Sequence, residues 1–330
     1  MSNLVLVTGG DGLLGSNLIR ELLAQEFSVR VLVQPGSKSP TLKGLPVEMI
    51  SGDLLAPDDT LKNAVKGCDA VFHCAAITNQ WAPADLVFKV NVEGTSKVLE
   101  ICVAEKVRKL IFVGSASAYQ FGTLEKPGDE RGSFPREYKG IPYMESKRQA
   151  MDLVREYVAQ KGLDAVIAVP TFMLGQYDYA PSSGELIRQY IVRKMIVASP
   201  GGRNFVYVGD VAKAMVSALS RGKKGESYIL AGENLSYWDF FSKVAKIAGV
   251  SPPKFQLPGA IVVMAGMGGS LYGKLSGKPV QLNLRMARLA CLDTYYSAEK
   301  ARKELGMPAA PIERAIEESI QSLKEYGHLK

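Results

Sequence analysis

Along the first half of the chain, short apolar runs alternate with longer segments whose apolar residues recur every three or four positions. A bounded apolar run reads as a buried strand, and recurrence at i, i+3, i+4 reads as an amphipathic helix. The opening segment "NLVLVTGGDGLLGSNLIRELLAQ" is a strand, a glycine turn and a helix with Leu14, Leu18, Ile19, Leu22 and Leu23 at helical spacing. Further strands are predicted over 28–33, 47–50, 69–76, 109–115 and 164–170, and helices over about 57–66, 84–105 and 143–161. Strands alternating with helices imply right-handed crossovers and a doubly wound parallel sheet. Unbroken apolar runs suit strands covered on both faces.

Beyond about residue 170 the alternation loosens. "YAPSSGELIRQYIVRK" suggests a loop feeding a helix, "FVYV" a short strand, and "GDVAKAMVSALS" a helix capped by Asp210. "NLSYWDFFSKVAKIAGV" starts a helix at Ser236, with Asp239 three residues later in a near capping box. "SAEKARKELGM" and "PIERAIEESIQSLKEYG" make a largely helical end. The expected organisation is a Rossmann-type α/β domain over 1–170, to which residues 203–220 return, and a smaller, mostly helical substrate lobe over 171–330. The most apolar part of that lobe is "LPGAIVVMAGMGGSLYGKL". Its uncharged portion falls short of the ~20 residues a membrane span requires and carries several glycines, so no span is expected. A helix in the core of the lobe is the expectation, with a greasy pocket lining or peripheral contact with a membrane surface as alternatives.

Composition changes this picture little: 47% hydrophobic and 22% charged residues are those of an ordinary globular chain. The net charge of +7 is dispersed, without a block of five or six like charges, which speaks against nucleic acid as a partner and leaves small molecules. Four scattered cysteines and two histidines offer no metal-type pairing, so no metal site is expected. The start "MSNLVLVTGG" lacks the features of a signal peptide, and reduced thiols in the cytoplasm are expected.

Chemistry concentrates in three places. Gly9, Gly12 and Gly15 stand three apart between strand and helix. That spacing permits a tight turn, close approach of backbone to pyrophosphate and tight helix–strand packing, while the helix N-terminus favours an anion. In "GIPYMESK", Tyr143 and Lys147 are four apart on one helix face, behind a proline suited to a first turn. A phenol titrates near 10, and an adjacent ammonium is expected to lower that value and make Tyr143 a general acid and base. Ser115 closes the run "LIFVGS", at the carboxyl end of a strand where open α/β sheets bind ligands; Ser117 competes for the role.

In order, "TGGDGLLG", "GDL" at 52–54, "HCAA" at 73–76, "NVEGT" at 91–95, "VGSASAY" and "YMESK" resemble the extended short-chain dehydrogenase/reductase superfamily over nearly the whole chain. "VLVQPGS", "PTFMLG", "APSSGELI" and "GGRNFVYVGDVAKA" resemble its dihydroflavonol-4-reductase-like and 3β-hydroxysteroid-dehydrogenase-like branch. The resemblance implies a catalytic triad of Ser115, Tyr143 and Lys147, with Lys147 also holding the nicotinamide ribose. It implies cofactor contacts from Gly9, Gly12, Leu13, Leu14 and Gly15, from Asp53 and Leu54 at adenine, from Ala75, Ala76 and Asn91, from Tyr143 as well as Lys147, and from Pro170 at the nicotinamide. Asn91 reads equally as a tie between its helix and a neighbouring loop, and His73 as framework near the cofactor. Ser117, Phe172, Met173 and Arg203 are the candidate substrate residues, Arg203 reading also as a loop anchor. A homodimer is implied by analogy.

The second strand ends "VLVQPGSKS", without the carboxylate that selects NAD. Gln34 stands where relatives often have arginine, and Lys38, with Lys43 beyond it, can reach a 2′-phosphate. The reading leans to NADP, with NAD as the alternative. "SAS" at 115–117 lacks the Asp-Glu pair of sugar dehydratases, and Val169 replaces an asparagine common in sugar epimerases. The expected activity is therefore NAD(P)-dependent reduction of a ketone or aldehyde on a fairly apolar substrate. The alternatives are a nucleotide-sugar epimerase using the same triad and a non-catalytic dinucleotide sensor.

Overall fold

The computed structural model describes residues 3–56, 59–79, 81–277, 280 and 283–329. Strands β1 (Leu4–Thr8), β2 (Ser28–Val33), β3 (Val47–Ser51), β4 (Ala70–His73), β5 (Lys109–Val113) and β6 (Ala165–Pro170) open the fold. Helices α1 (Leu13–Ala24), α2 (Thr60–Val65), α3 (Ala84–Phe88), α4 (Gly94–Ala104) and α5 (Pro142–Lys161) lie between them. The chain goes on through β7 (Phe172–Leu174), α6 (Gly184–Arg193), β8 (Val197–Ala198), β9 (Gly202–Tyr207), α7 (Val208–Arg221) and β10 (Ser227–Leu230). β11 (Glu233–Ser236), α8 (Tyr237–Ala248), β12 (Phe255–Gln256), α9 (Gly259–Ser276) and α10 (Leu284–Leu289) follow. β13 (Asp293–Thr294), α11 (Glu299–Leu305) and α12 (Ile312–Glu325) complete it.

Seven strands pair in the order β3-β2-β1-β4-β5-β6-β10, every neighbour parallel. This is the doubly wound Rossmann sheet the alternation predicts. Strand order reverses between β1 and β4, which opens a crevice at the carboxyl ends of both. Apolar runs fill both faces: Leu6, Phe72, Phe112, Leu18 and Leu22 are fully buried, and each such side chain contributes about 1.5–3 kcal/mol. The same core takes in β10 and Ala301 and Leu305 of α11, later in the chain than the expected return over 203–220.

Several local outcomes differ from the pattern. The runs at 69–76 and 109–115 stop pairing at His73 and Val113, where the chain leaves the sheet to form the crevice. The helix expected over 57–66 is α2; positions 57 and 58 lie outside the described residues. The helix over 84–105 is α3 and α4 joined by one π-turn, Lys89–Glu93, which turns Asn91 inward. Asp210 does not cap α7: the helix starts at Val208, and the Asp210 carboxylate, already in its first turn, accepts from the Ala310 N–H at 2.7 Å. Ser236 does cap α8, accepting from the Asp239 N–H at 3.0 Å.

A second core gathers α6, α8 and α12 about the small four-stranded sheet of β7, β9, β11 and β13, with Phe205 stacked on Phe240 and Tyr190 on Phe241. Helix α9 is not in it, contrary to the expectation of a core helix. Of its residues only Val262 and Gly266 are buried. The face that packs carries mainly small side chains, so α10 seats closely there and the large apolar residues turn the other way. No described helix is long and apolar enough to cross a membrane.

Candidate active site

The glycine turn follows from what a Cβ would meet. Gly9 has φ +67°, open to glycine at little cost, and a Cβ there would lie 2.8 Å from the backbone of Ala75. A Cβ on Gly15 would lie 2.2 Å from the Gly9 carbonyl oxygen, so helix and strand can approach only with glycine present. Gly12, at the N-terminus of α1, faces open space apart from the Gly9 oxygen 3.6 Å away. Neither a capping side chain nor an acidic first turn occupies that end. Backbone N–H groups and the positive end of α1 thus face a cradle that fits a pyrophosphate. Leu13 and Leu14 are buried in the first turn beneath it.

A hydrogen-bonded chain crosses the switch point. The Ala75 N–H donates to Thr8 Oγ1 (3.3 Å), and Thr8 Oγ1 meets His73 Nδ1 (2.7 Å). His73 Nε2 meets Thr95 Oγ1 (3.1 Å), whose hydroxyl donates to the Asn91 carbonyl (2.7 Å). Because the Thr95 proton is committed to that carbonyl, Nε2 must donate and Nδ1 must accept, which fixes the tautomer. Burial, reinforced by the Lys147 charge, pushes the imidazole down to about 3, so His73 is neutral framework. Asn91 spends its carboxamide locally: Oδ1 accepts from the Ile77 N–H (2.7 Å), and Nδ2 donates to the Ile77 carbonyl (3.0 Å) and to Ser146 Oγ (3.0 Å). It ties the loop after β4 to α5 beside Lys147.

The triad assembles at the end of β5. Ser115 follows it in extended backbone, and its hydroxyl accepts from the Ser117 N–H at 3.3 Å and meets the Ser117 hydroxyl at 2.8 Å. Pro142 sits in the first turn of α5 and brings Tyr143 into hydrogen-bonding reach of Ser115. Of the two competing serines, Ser115 meets the phenol, and Ser117 lies buried behind it. Lys147, one turn on, is 4% exposed; its ammonium donates to the Val113 carbonyl at 2.5 Å and lies 4.9 Å from the Phe112 ring centroid.

The electrostatics differ from the expectation that the ammonium lowers the phenol. Burial pushes the Tyr143 phenol above its ordinary value, and the Ser115 hydrogen bond only partly opposes this. The cause is that Lys147 is itself desolvated, down to about 8, with its ammonium directed at a backbone carbonyl. Tyr143 is thus a protonated acid at neutral pH. Around it runs an apolar cluster: Tyr138, Ile141 and Met144, with Phe121 and Phe134 and, from α10, Met286 and Leu289.

The remaining predicted residues surround this centre. Asp53 lies in the turn after β3, its carboxylate accepting from the Leu55 N–H at 2.8 Å, and Leu54 is buried beside it. Ala75 and Ala76 are half-buried after β4, and Pro170 is buried at the end of β6. Gln34, Lys38 and Lys43 are exposed beyond β2. Phe172 and Met173 lie half-buried in β7, and the Arg203 guanidinium stands 4.8 Å from the Phe172 ring centroid.

Pattern reading overlooks three features. Asp11, inside the glycine turn, accepts from the hydroxyls of Ser37 (2.6 Å) and Ser39 (3.2 Å) and so anchors the loop that carries Lys38; its only sequence signal is an acid within "GGDG". Asp178, 3% exposed, gathers the N–H groups of Ser182 and Gly184 and shapes the loop into α6. Tyr138 and Tyr296 share a hydrogen bond beside Arg203, a pairing across distant segments that no local pattern signals.

The family model described as "NAD dependent epimerase/dehydratase family" matches residues 5–231. A protein of Synechocystis sp. named provisionally as a dihydroflavonol 4-reductase is 30% identical over 337 residues, covering 100% of this chain and 97% of its own. The 4-hydroxy-2-methyl-3-oxo-4-farnesyl-3,4-dihydroquinoline-1-oxide ketoreductase of Stigmatella aurantiaca is 31% identical, covering 91% and 90%. Among solved structures, gox2253 superposes with a TM-score of 0.87 at 32% identity, covering 99% and 100%. A nucleoside-diphosphate-sugar epimerase of Pseudomonas aeruginosa shares the fold, with a TM-score of 0.81 at 24% identity and 99% of each chain covered. With a glycine cradle and a neutral histidine framework at the switch point of its sheet and a Ser-Tyr-Lys cluster at the end of the neighbouring strand β5, this chain belongs to the NAD-dependent epimerase/dehydratase family, the extended short-chain dehydrogenase/reductases.

Proposed function

We propose that the protein is an oxidoreductase that reduces a ketone or aldehyde on a fairly apolar substrate. The observation that carries this reading is the setting of Tyr143: its ring is half-buried against the apolar side chains of Tyr138, Ile141 and Met144, and its phenol is hydrogen-bonded to Ser115. Reduction of a carbonyl requires an acid at oxygen, and a neutral phenol is one. The reductase and ketoreductase names of the relatives support the same direction.

A bound nicotinamide dinucleotide supplies hydride. Gly9, Gly12, Leu13, Leu14 and Gly15 would hold its pyrophosphate, Asp53 and Leu54 its adenine, and Ala75, Ala76 and Pro170 would line the way to the nicotinamide. Lys147 has donor capacity beyond the bond to Val113, which suits a ribose hydroxyl. Ser115 holds the substrate oxygen, and Tyr143 Oη delivers its proton there as negative charge develops. The Lys147 ammonium, still mostly protonated at neutral pH, then stabilises the phenolate left behind. Asn91 positions Lys147 through Ser146 and the Ile77 loop. We infer NADP as the preferred dinucleotide, because β2 ends without a carboxylate and Lys38 stands exposed beyond it.

The test is consumption of reduced nicotinamide with ketones of increasing apolar surface. Tyr143→Phe is expected to lower turnover about 10²–10⁴-fold while dinucleotide affinity stays unchanged. Full turnover in that variant, or interconversion of nucleotide-sugar epimers without net oxidation, would overturn the assignment.

A further inference from the structure

Helix α9 turns its large side chains outward. Ile261, Met264, Met267, Leu271, Tyr272 and Leu275 are 45–78% exposed. At 3.6 residues per turn they fall within one arc of roughly 140°. The opposite arc is spent on α10: a Cβ on Gly266 would lie 2.4 Å from Ala287 Cβ, and Ser270 Oγ accepts from the Leu284 N–H at 2.8 Å. Phe255, shortly before the helix, is also exposed at 61%, and its N–H donates to the carbonyl of Ile196, another exposed apolar residue. A continuous apolar helical face of this length, left open on the side away from α10, calls for an apolar partner.

Charge identifies the partner. Between Asp239 and Asp293 the sequence contains no aspartate or glutamate, although the chain as a whole carries 33 in 330 residues. Lys254, Lys274, Arg285 and Arg288, all exposed, are spread through and beside the α9–α10 segment. A second copy of the chain would set cation against cation. An anionic lipid surface meets both demands, with acyl chains for the apolar arc and headgroups for the cations. The hairpin is also fastened to the site: Arg285 Nη1 donates to the Gly140 carbonyl at 2.6 Å, and Met286 and Leu289 share the apolar cluster with Tyr143.

We propose that α9 and its basic flank dock on an anionic lipid bilayer, lying on the surface without crossing it and setting the cleft toward a lipid-borne carbonyl substrate. The last clause rests on the reductase reading; the docking does not.

Flotation of the full chain with phosphatidylcholine vesicles, with and without about 30% phosphatidylserine, tests it without any substrate. The chain is expected to float with the anionic vesicles, to stay down with phosphatidylcholine alone, and to be released as salt rises. Leu271→Glu/Leu275→Glu should weaken binding about tenfold or more, and Arg288→Gln a few-fold, each keeping the wild-type dinucleotide titration as proof of folding. No flotation of the wild type, or undiminished binding by the double glutamate variant, overturns the proposal. So does a dimer in sedimentation velocity that this variant dissociates in the absence of lipid. Since vesicle binding is read without turnover, its failure is distinct from failure of the Tyr143 assignment.

Discussion

The turn after β1 and helix α9 are both rich in glycine, for opposite reasons. At the turn, glycine is demanded by backbone meeting backbone: Gly15 by the Gly9 carbonyl, Gly9 by a left-handed φ and the Ala75 chain. In α9, Gly266 admits a neighbouring helix, while Gly268 has nothing within 4 Å of the space its Cβ would fill. A glycine constrained by its own turn can be read from spacing, because the constraint is local. A glycine whose partner lies in another helix cannot, and one facing solvent has no partner to find.

The comparison makes its strongest claim at Gly15. Gly15→Ala places a methyl against a main-chain oxygen that cannot move without breaking the turn, so a cost of about 3 kcal/mol or more is expected. Urea unfolding should show it, together with loss of dinucleotide binding. Near-wild-type stability would mean the turn is far more pliable than the approach of α1 to β1 implies.

The framework behind the turn can be probed by pH. Folded His73 resists protonation until about pH 3, whereas unfolded histidine takes up a proton near 6.5. Between those values the unfolded chain binds more protons, so stability falls as pH falls through that window. From pH 7 to pH 5 the loss from this one group is about 2 kcal/mol. His73→Gln, which keeps an N–H for Thr95 and does not titrate, should lose that much less over the same interval in urea midpoints. Identical slopes would show that His73 charges in the folded state and that the Thr8–His73–Thr95 chain is not fixed as drawn.

The contrast between the turn and α9 marks the boundary of what the sequence makes legible. The sheet, the glycine turn and the Tyr143–Lys147 pair were readable because each follows from spacing within a few residues: period, turn chemistry, one helical face. What escaped reading depends on pairs far apart in sequence. Burial, not Lys147, sets the Tyr143 phenol, since the ammonium is drawn to Val113, more than thirty residues earlier. Asp210 has the residue type of a cap, yet its partner is Ala310, a hundred positions on. Helix α9 has core-like composition, but its packing partner is α10, reached through Gly266 and Ser270, and its large side chains face away from that contact.

The loop after β2 falls between these extremes, its apolar strand legible and its anchor not. Asp11 holds Ser37 and Ser39, leaving Lys38 exposed between them. Lys38→Ala should weaken NADPH about five- to tenfold, roughly 1 kcal/mol, and leave NADH unchanged. Asp11→Asn removes the opposing charge and should shift preference further toward NADPH. Equal losses for both dinucleotides on Lys38→Ala would mean the side chain only stiffens the loop.

The smallest effect is the most pointed, because it repeats the Gly15 substitution with the opposite sign. Gly268 sits mid-helix on the open face of α9, where a methyl meets nothing and glycine is disfavoured relative to alanine by about 1 kcal/mol. Gly268→Ala should therefore stabilise α9, by about 0.5–1 kcal/mol. Hydrogen exchange of the α9 amides is the right readout, since a hairpin attached mainly through α10 can open without unfolding the sheet. Slower exchange confined to α9 and α10 is expected. Faster exchange there would mean that the space beside Gly268 is filled in solution, and that the outward face of the helix already has a partner seated on it.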